Sequence, residues 1–536
     1  MIKAFPGRLR IPAVVFIIYC AIFSYNHLLG VDLMEARNFV TAREMVEYGN
    51  WLVPTMNGEL RITKPPLPTW LVALSMKVVG SDTNLAANRF ATGLAALILL
   101  VFFYRFALIY TGCRETSQVA TLLLATSYMY MYMSRRGNWD MTSHTFIMGA
   151  IFMLYLATRQ NSRQNGHLIG AGIFIGLSFM SKGPVSIYIL LLPFLFSEML
   201  SGERVRYFTH WRMLLIAILV ALLIGMAWPA YLYSVCPDDL AKIVATETAS
   251  WTNRHLKPFY WYLQFPAMSG IWILFFLPAL YLPHSKRILA SSFPTRKVIG
   301  WLFLSLLLLS LIPEKKDRYL LPVTIPMALL TGAYMTSLIK SAGEAGRSLV
   351  ERYLLTFSIW AFAALSAAGL ATGLYCSVKF DLNAYSVLIT FASALMLFSY
   401  ARMLYRRETP EILYFILVFI LATQSGACLT EKLIKPDDYM EILKVRNCPK
   451  LLANDFYAEY PELKAVWALG KRIHRWNPDG LHALAEGRQI LLVARSDVQP
   501  SFAGLDKTKF DIQPDRDNKF QHWQLYVLTR RFQNSP

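Results

Sequence analysis

Apolar runs of about 18 residues or more recur along the chain, separated by short polar stretches, and this restricts the fold more than any other feature. In lipid every backbone polar group must find its partner within the protein, so a spanning segment is a helix or part of a closed barrel. Barrel strands alternate in polarity, whereas these runs are continuous, so they read as helices. Composition agrees: 55% of the 536 residues are hydrophobic and only 16% are charged, against about 25% charged in a soluble domain. A window count places spans near 11–30, 85–108, 119–134, 141–158, 168–181, 184–200, 213–235, 267–283, 298–312, 320–339, 354–376, 384–402 and 410–428, about thirteen in all. The expected fold is an all-α polytopic membrane protein.

The formal net charge is +19, which in a soluble chain would point to nucleic acid. Here the positive-inside rule accounts for it, and no nucleic-acid motif is present. The loops holding Arg114, Arg159, Arg204, Lys286, Arg296, Arg347 and Arg406 fall on the side of the basic N-terminus, which is expected to be cytoplasmic. The intervening loops carry the acidic residues. Lys3, Arg8 and Arg10 before the first apolar run resemble a signal sequence without an A-x-A site, hence an uncleaved anchor. The six cysteines show no CxxC and no metal spacing, and Cys428 and Cys448 are the pair placed to join outside the cytoplasm. Residues 1–430 form the membrane part, with residues 31–69 as its first extracytoplasmic loop. Hydropathy falls after Leu429, and residues 431–536 read as a small α/β domain on the same outer side. Its strands are GRQILLVARSDV and HWQLYVLTRR, with a helix over Pro461 to Trp476.

The first loop is dense in charge, with Asp32, Glu35, Arg37, Arg43, Glu44, Glu47, Glu59, Arg61 and Lys64. Helical spacing over Arg37 to Trp51 suggests an amphipathic helix in the interface, and Asn57-Gly58 marks a turn. Four further mixed-charge patches fall on the outer side: Arg135 to Asp140, Ser181 to Pro184, Glu247 to Lys257 and Glu314 to Pro322. Helical hairpins would gather them on one face as Lys, Arg and Tyr with a few carboxylates. Such a cluster suits a lipid phosphate, which Arg grips as a fork and Lys as a point charge. A carboxylate takes the proton of a nucleophilic hydroxyl, and the cations stabilise the leaving phosphate. Transfer from a polyprenyl-phosphate sugar satisfies each requirement without a nucleotide site. Plainer roles compete: Asp140 as a helix-end ion pair, Lys182 as a lysine snorkelling to the interface, Lys64 as a solvated loop lysine, Arg254 and His255 as loop charge, Arg318 with Tyr319 as an interfacial anchor.

The motifs EARN, AREM, GNWLVP, KPPLPTWL, NWDM, GLSFMSKGPV, NRH with KPFYWYL, and KKDRYLLPVTIP follow in that order. Together they resemble the GT-C glycosyltransferases of the protein mannosyltransferase and aminoarabinose transferase group, over about residues 10 to 430. The resemblance implies a GT-C membrane fold with a small outer domain, in the bacterial inner membrane with its catalytic loops periplasmic. The implied donor is a polyprenyl-phosphate sugar and the acceptor lipid A, another glycolipid or a protein. Aminoarabinose transfer to lipid A is the nearest activity, and protein O-mannosyl transfer is the alternative. By the same resemblance Lys64, Arg254 and Tyr319 hold the donor phosphate, with Arg318 and Lys182 beside them, and Asp140 matches an acidic residue of the second outer loop. The family's first loop carries Asp-Glu where this chain has Met34-Glu35, and Glu where it has Thr63. Glu35 or Asp32 is therefore expected to replace the missing base, with Asp140 assisting. No cofactor is assigned; a divalent metal stays open, with no ligands named. Two rivals from other classes are a lipid or sugar transporter and an inactive relative that binds polyprenyl phosphate.

Overall fold

The computed structural model describes residues 7–24, 26, 30–159, 163–203, 211–253, 255–289, 292–340, 349–379, 455–458, 460–475, 489–495, 510–514 and 523–530, with a few positions between 390 and 446. The fold is mostly helical. In chain order come α1 (Gly7–Ile22), α2 (Leu33–Tyr48), the hairpin β1 (Thr55–Met56) and β2 (Glu59–Leu60), α3 (Leu67–Val79), α4 (Leu85–Thr111), α5 (Arg114–Ala125), α6 (Tyr128–Ser134), α7 (Trp139–Ala157) and α8 (Gln164–Lys182). There follow α9 (Leu192–Glu198), α10 (Trp211–Val235), α11 (Pro237–Asn253), a 3-10 segment (Phe259–Trp272), α12 (Ile273–Leu280), α13 (Leu282–Ile288) and α14 (Thr295–Leu311). A second 3-10 segment (Asp317–Val323), α15 (Thr324–Lys340) and α16 (Leu349–Lys379) complete the helical region. The C-terminal elements are β3 (Asp455–Ala458), α17 (Leu463–Leu469), β4 (Ile473–Arg475), β5 (Gln489–Arg495), β6 (Phe510–Pro514) and β7 (Trp523–Arg530).

Among the described residues four helical stretches are long and apolar enough to cross a membrane: Leu85–Thr111, Trp211–Val235, Phe259–Leu280 and Asp317–Leu338. The run expected over 119–134 is broken between α5 and α6, where the Thr126 and Ser127 hydroxyls donate to the carbonyls of Leu122 and Leu124. The expected span at 410–428, the bulk of that at 384–402, and Cys428 with Cys448 lie outside the described residues.

Contacts divide the chain into two units interleaved in sequence: Met1–Leu28, Thr63–Pro68 and Arg89–Lys432 in one, Leu29–Ile62, Thr69–Asn88 and Leu433–Pro536 in the other. In the first, α8 packs closely on α7 and α10. A Cβ on Gly172 would collide with the Ala217 carbonyl oxygen, so only glycine lets α8 approach α10 there.

In the second unit, Asp32 caps α2: its Oδ1 accepts from the backbone N–H of Met34 and Glu35, both at 2.8 Å, while Glu35 reaches back to the Asp32 N–H. Gly49, at φ 73°, ends the helix. The expected interfacial helix is thus a buried one. Glu35, Asn38, Arg43 and Glu44 are all buried, a state polar side chains tolerate only when partners are supplied. Thr69 donates to Asn38 at 2.7 Å, and Arg43 donates to the Val466 carbonyl of α17 at 3.1 Å. Asn57 and Gly58 take positive φ between β1 and β2, as a two-residue hairpin demands. The Asn57 side chain then pairs with both backbone groups of Ile473, at 2.8 and 2.9 Å. Where one helix is expected over Pro461–Trp476, α17 stops at Gly470 (φ 76°) and the chain turns into β4. The five strands order as β4-β3-β5-β7-β6, with β3 parallel to β4 and β5, and β7 antiparallel to β5 and β6.

Candidate active site

The membrane unit gathers a carboxylate and its cations at the ends of α7 and α8. Asp140 sits in the first turn of α7, where the Asn138 side chain caps the helix by accepting from the Asp140 N–H at 3.2 Å. Lys182 is the last residue of α8, and its ammonium donates to Asp140 Oδ1. Arg318, from the segment after α14, places Nε 3.9 Å from Asp140 Oδ2. Next along that segment, the Tyr319 ring lies under the Lys182 ammonium, 4.7 Å from its centroid. Three serines below the pair fix the two helices: Ser143 Oγ lies 3.0 Å from Ser178 Oγ and 2.7 Å from Ser186 Oγ. Ser143 is three residues past Asp140 and Ser178 four before Lys182, so each is one turn from the charge it helps position.

Asp140 and Lys182 flank the apolar runs 141–158 and 168–181. Burial pushes the Asp140 carboxyl up, but Lys182 and Arg318 outweigh it and hold the group down, at about 2. Burial lowers the Lys182 ammonium to about 8, against the opposing pull of Asp140 and with help from the like charges of Arg318 and Lys64. Asp140 is thus ionised at neutral pH, and Lys182 is close to losing its proton.

The fourth and fifth charged patches meet beside this cluster. Leu256 and Glu314 form an antiparallel bridge, and the Lys315 N–H donates to the His255 carbonyl at 3.1 Å. The Tyr262 hydroxyl accepts from the Lys316 N–H at 3.2 Å. Trp261 and Gln264 donate to Asp317 Oδ1 at 3.1 and 2.9 Å, so Trp261 holds the segment that carries Arg318. Lys64, in its proline-flanked turn, pairs with Glu247 of α11 at 3.1 Å, and about a third of each side chain remains exposed.

Of the residues singled out in the sequence, Asp140, Lys182, Arg318 and Tyr319 come together. Lys64 acts on Lys182 through its charge, while Arg254 lies outside the described residues. Asp32 and Glu35 belong to the other unit, at the start of α2. The serine trio was not singled out, since serines inside apolar runs carry no spacing that marks them. Arg135 and Arg136, neighbours of Asp140 in sequence, are engaged elsewhere: Arg135 donates to the Cys20 and Ala21 carbonyls at the end of α1, and Arg136 covers the Tyr132 ring. Two cations on one carboxylate do not make a donor set for a divalent metal. Among the described residues no three His, Cys, Asp or Glu side chains gather as a metal site.

Known proteins share this architecture. Over 96% of this chain and 97% of its own, ArnT from Cupriavidus metallidurans, solved bound to undecaprenyl phosphate, superposes with a TM-score of 0.73 at 16% identity. The chain has the GT-C fold. The Archaeoglobus fulgidus oligosaccharyltransferase shares this fold more distantly, with a TM-score of 0.50 at 10% identity over 97% of this chain and 75% of its own. In sequence, residues 63–228 match the family described as dolichyl-phosphate-mannose-protein mannosyltransferase. The undecaprenyl phosphate-alpha-4-amino-4-deoxy-L-arabinose arabinosyl transferase of Aeromonas hydrophila is 27% identical over 342 residues, 60% of this chain and 60% of the relative. The chain therefore spans about three fifths of that relative's length. The resemblance read from the ordered motifs is borne out, and with it an integral membrane protein of GT-C architecture.

Proposed function

We propose that this protein is a glycosyltransferase of the bacterial inner membrane that moves a sugar from a polyprenyl-phosphate carrier to a periplasmic acceptor, with aminoarabinose as the sugar and lipid A as the acceptor. The observation that carries this is the Asp140 carboxylate clamped between Lys182 and Arg318 beside the Tyr319 ring. A carboxylate so placed keeps two cations desolvated and aimed, ready to exchange part of their contact for a lipid phosphate. The names borne by the Aeromonas relative and the Cupriavidus structure support the same donor class. In this reading the membrane part has about thirteen spans, and residues 31–69 and the C-terminal sheet face the periplasm.

Lys182, Arg318, Tyr319, Lys64 and Arg254 hold the donor phosphate. The positive charge of the two lysines and two arginines offsets the charge that grows on the phosphate oxygen as the sugar–oxygen bond lengthens. The acceptor hydroxyl attacks the anomeric carbon while a carboxylate takes its proton. Asp32 and Glu35 are the candidates for that base, Asp140 assisting. Glu35 is fully buried and Asp32 only partly, so Asp32 is the more accessible to an acceptor.

The test is turnover of a labelled undecaprenyl-phosphate aminoarabinose donor by the purified full chain in lipid, with Asp32→Ala, Glu35→Ala and the double variant alongside. Transfer to lipid A, lost in the double variant, is the expected result. Donor binding without turnover in the parent protein would instead favour the inactive-relative reading, which Met34 at the family's Asp position motivates. Full activity in the double variant removes both carboxylates from the mechanism.

A further inference from the structure

A second charged cleft lies at the opposite end of the membrane unit. It has a volume of about 480 Å³ and is lined by Leu200, Lys286, Leu289, Phe293, Arg296 and Lys297, among others. That volume is within the range of small-ligand sites, about 300–1,000 Å³. Its position follows from chain direction. Helix α14 starts at Thr295 in the cleft wall and ends at Leu311, just before the Glu314–Tyr319 segment of the donor cluster. Seventeen residues at 1.5 Å each separate the two ends by about 26 Å, close to the thickness of a bilayer core. The chain between Lys182 and Glu198 makes the same journey in reverse.

The cleft is built on a buried network. Glu198, 2% exposed, accepts from the Tyr110 hydroxyl at 2.8 Å and pairs with Lys297 at 3.1 Å. Ser197 donates to the Lys297 carbonyl, which fixes the start of α14 against the end of α9. Glu198 thus neutralises Lys297 and leaves Lys286 and Arg296, both exposed, as the remaining cations among the described lining residues. Beside them stand apolar walls, with Leu200 73% exposed and Leu289 and Phe293 buried behind it. Cations at a helix end beside apolar surface match the chemistry of an anionic phospholipid, phosphate on the cations and acyl chains along the apolar wall.

We propose that this cleft is a binding site for an anionic phospholipid head group, separate from the donor site; its placement at the inner leaflet rests on the orientation proposed above. A diphosphate head group of the cardiolipin type matches two unneutralised cations best.

The test uses the full chain, stripped of lipid in detergent and titrated with cardiolipin or phosphatidylethanolamine under native mass spectrometry. Expected is a discrete one-to-one cardiolipin adduct that phosphatidylethanolamine does not form. The Lys286→Ala/Arg296→Ala double variant weakens that adduct about thirtyfold, the combined effect of two cations at a lipid phosphate. Lys242→Ala, which removes an exposed lysine elsewhere, leaves it unchanged. Equal retention of the two lipids, or equal cardiolipin retention in the double variant, overturns the proposal. If the double variant does not fold, photo-crosslinking of the parent protein with an azido-cardiolipin decides. Crosslinks within residues 286–297 support the site, and crosslinks confined elsewhere overturn it.

Discussion

At the scale of single residues, Lys182 has the most to reveal, because its ammonium is both a proposed phosphate contact and a group near its titration point. With a folded pKa lowered to about 8 from 10.5, it is charged at neutral pH and loses its proton as pH rises through 8. Donor affinity is therefore expected to fall above about pH 8, and KM for the donor to rise. Lys182→Arg keeps the charge at every accessible pH and should remove that alkaline edge even if turnover suffers. Asp140→Asn takes away the carboxylate that favours the ammonium, so the edge should move below pH 8. An edge unmoved in both variants would show that another group titrates. The stability signs are separate. Folded Lys182 binds its proton more weakly than in the unfolded chain, so its burial cost is full below pH 8 and relieved between 8 and 10.5. Asp140, depressed to about 2, stabilises above its unfolded value of about 3.8 and loses that contribution as pH falls toward 2. Lys182 and Asp140 were legible as charges at the ends of apolar runs. That they touch was not, because the hairpin geometry pairing them is set by the silent serines Ser143, Ser178 and Ser186.

Among the elements, the junction of α2, the β1–β2 hairpin and the C-terminal segment was the least legible. The Asn57-Gly58 turn and the strands β5 and β7 follow from local chemistry, since turn residues and β-branched runs carry their own signals. Glu44 reads in sequence as one more charge in a polar loop, yet it is fully buried. It accepts from the Thr55 hydroxyl at 2.5 Å, from the Gly58 N–H at 3.2 Å and, with both oxygens, from the Arg472 guanidinium at 3.1 Å. Arg472 also lies 4.1 Å over the Tyr48 ring. The partner is more than 400 residues away in sequence, so no window of the chain could show that the helix at Leu33–Tyr48 is buried. Removing Glu44 leaves two local donors without their acceptor, but Arg472, about a third exposed, can be rehydrated in part, so Glu44→Ala should destabilise this unit by about 1–3 kcal/mol. Losing Arg472 instead leaves the Glu44 carboxylate fully buried with only two neutral donors and no counter-charge. Arg472→Ala should therefore cost more, about 3–5 kcal/mol. Denaturation of both single variants and the double gives the coupling directly. Additive effects would mean that the two side chains do not act as a pair.

For the whole molecule, the proposed reading assigns the donor cluster and the basic cleft to opposite compartments. Loop charge in the sequence already sorted into a basic set with the N-terminus and a mixed set opposite, and chain direction agrees with that sorting. Helix α10 covers 25 residues, about 37 Å of rise, and ends at Val235 on the side that the mixed-charge loops share. Helix α14 begins on the other side, next to Lys286 and Arg296. Single cysteines at two exposed positions, Ser234→Cys in the last turn of α10 and Ser292→Cys before α14, in a background without native cysteines, separate these faces. A membrane-impermeant maleimide applied to intact spheroplasts should label Ser234→Cys. It should reach Ser292→Cys only after permeabilisation. On the proposed function the chemistry calls for this arrangement: a carrier-linked sugar and its acceptor would meet where both head groups are exposed, whereas a positively charged cleft gains most from the anionic cytoplasmic leaflet. Labelling of both positions from one side would mean that the end of α10 and the start of α14 share one face, and the donor cluster and the basic cleft would then face the same water.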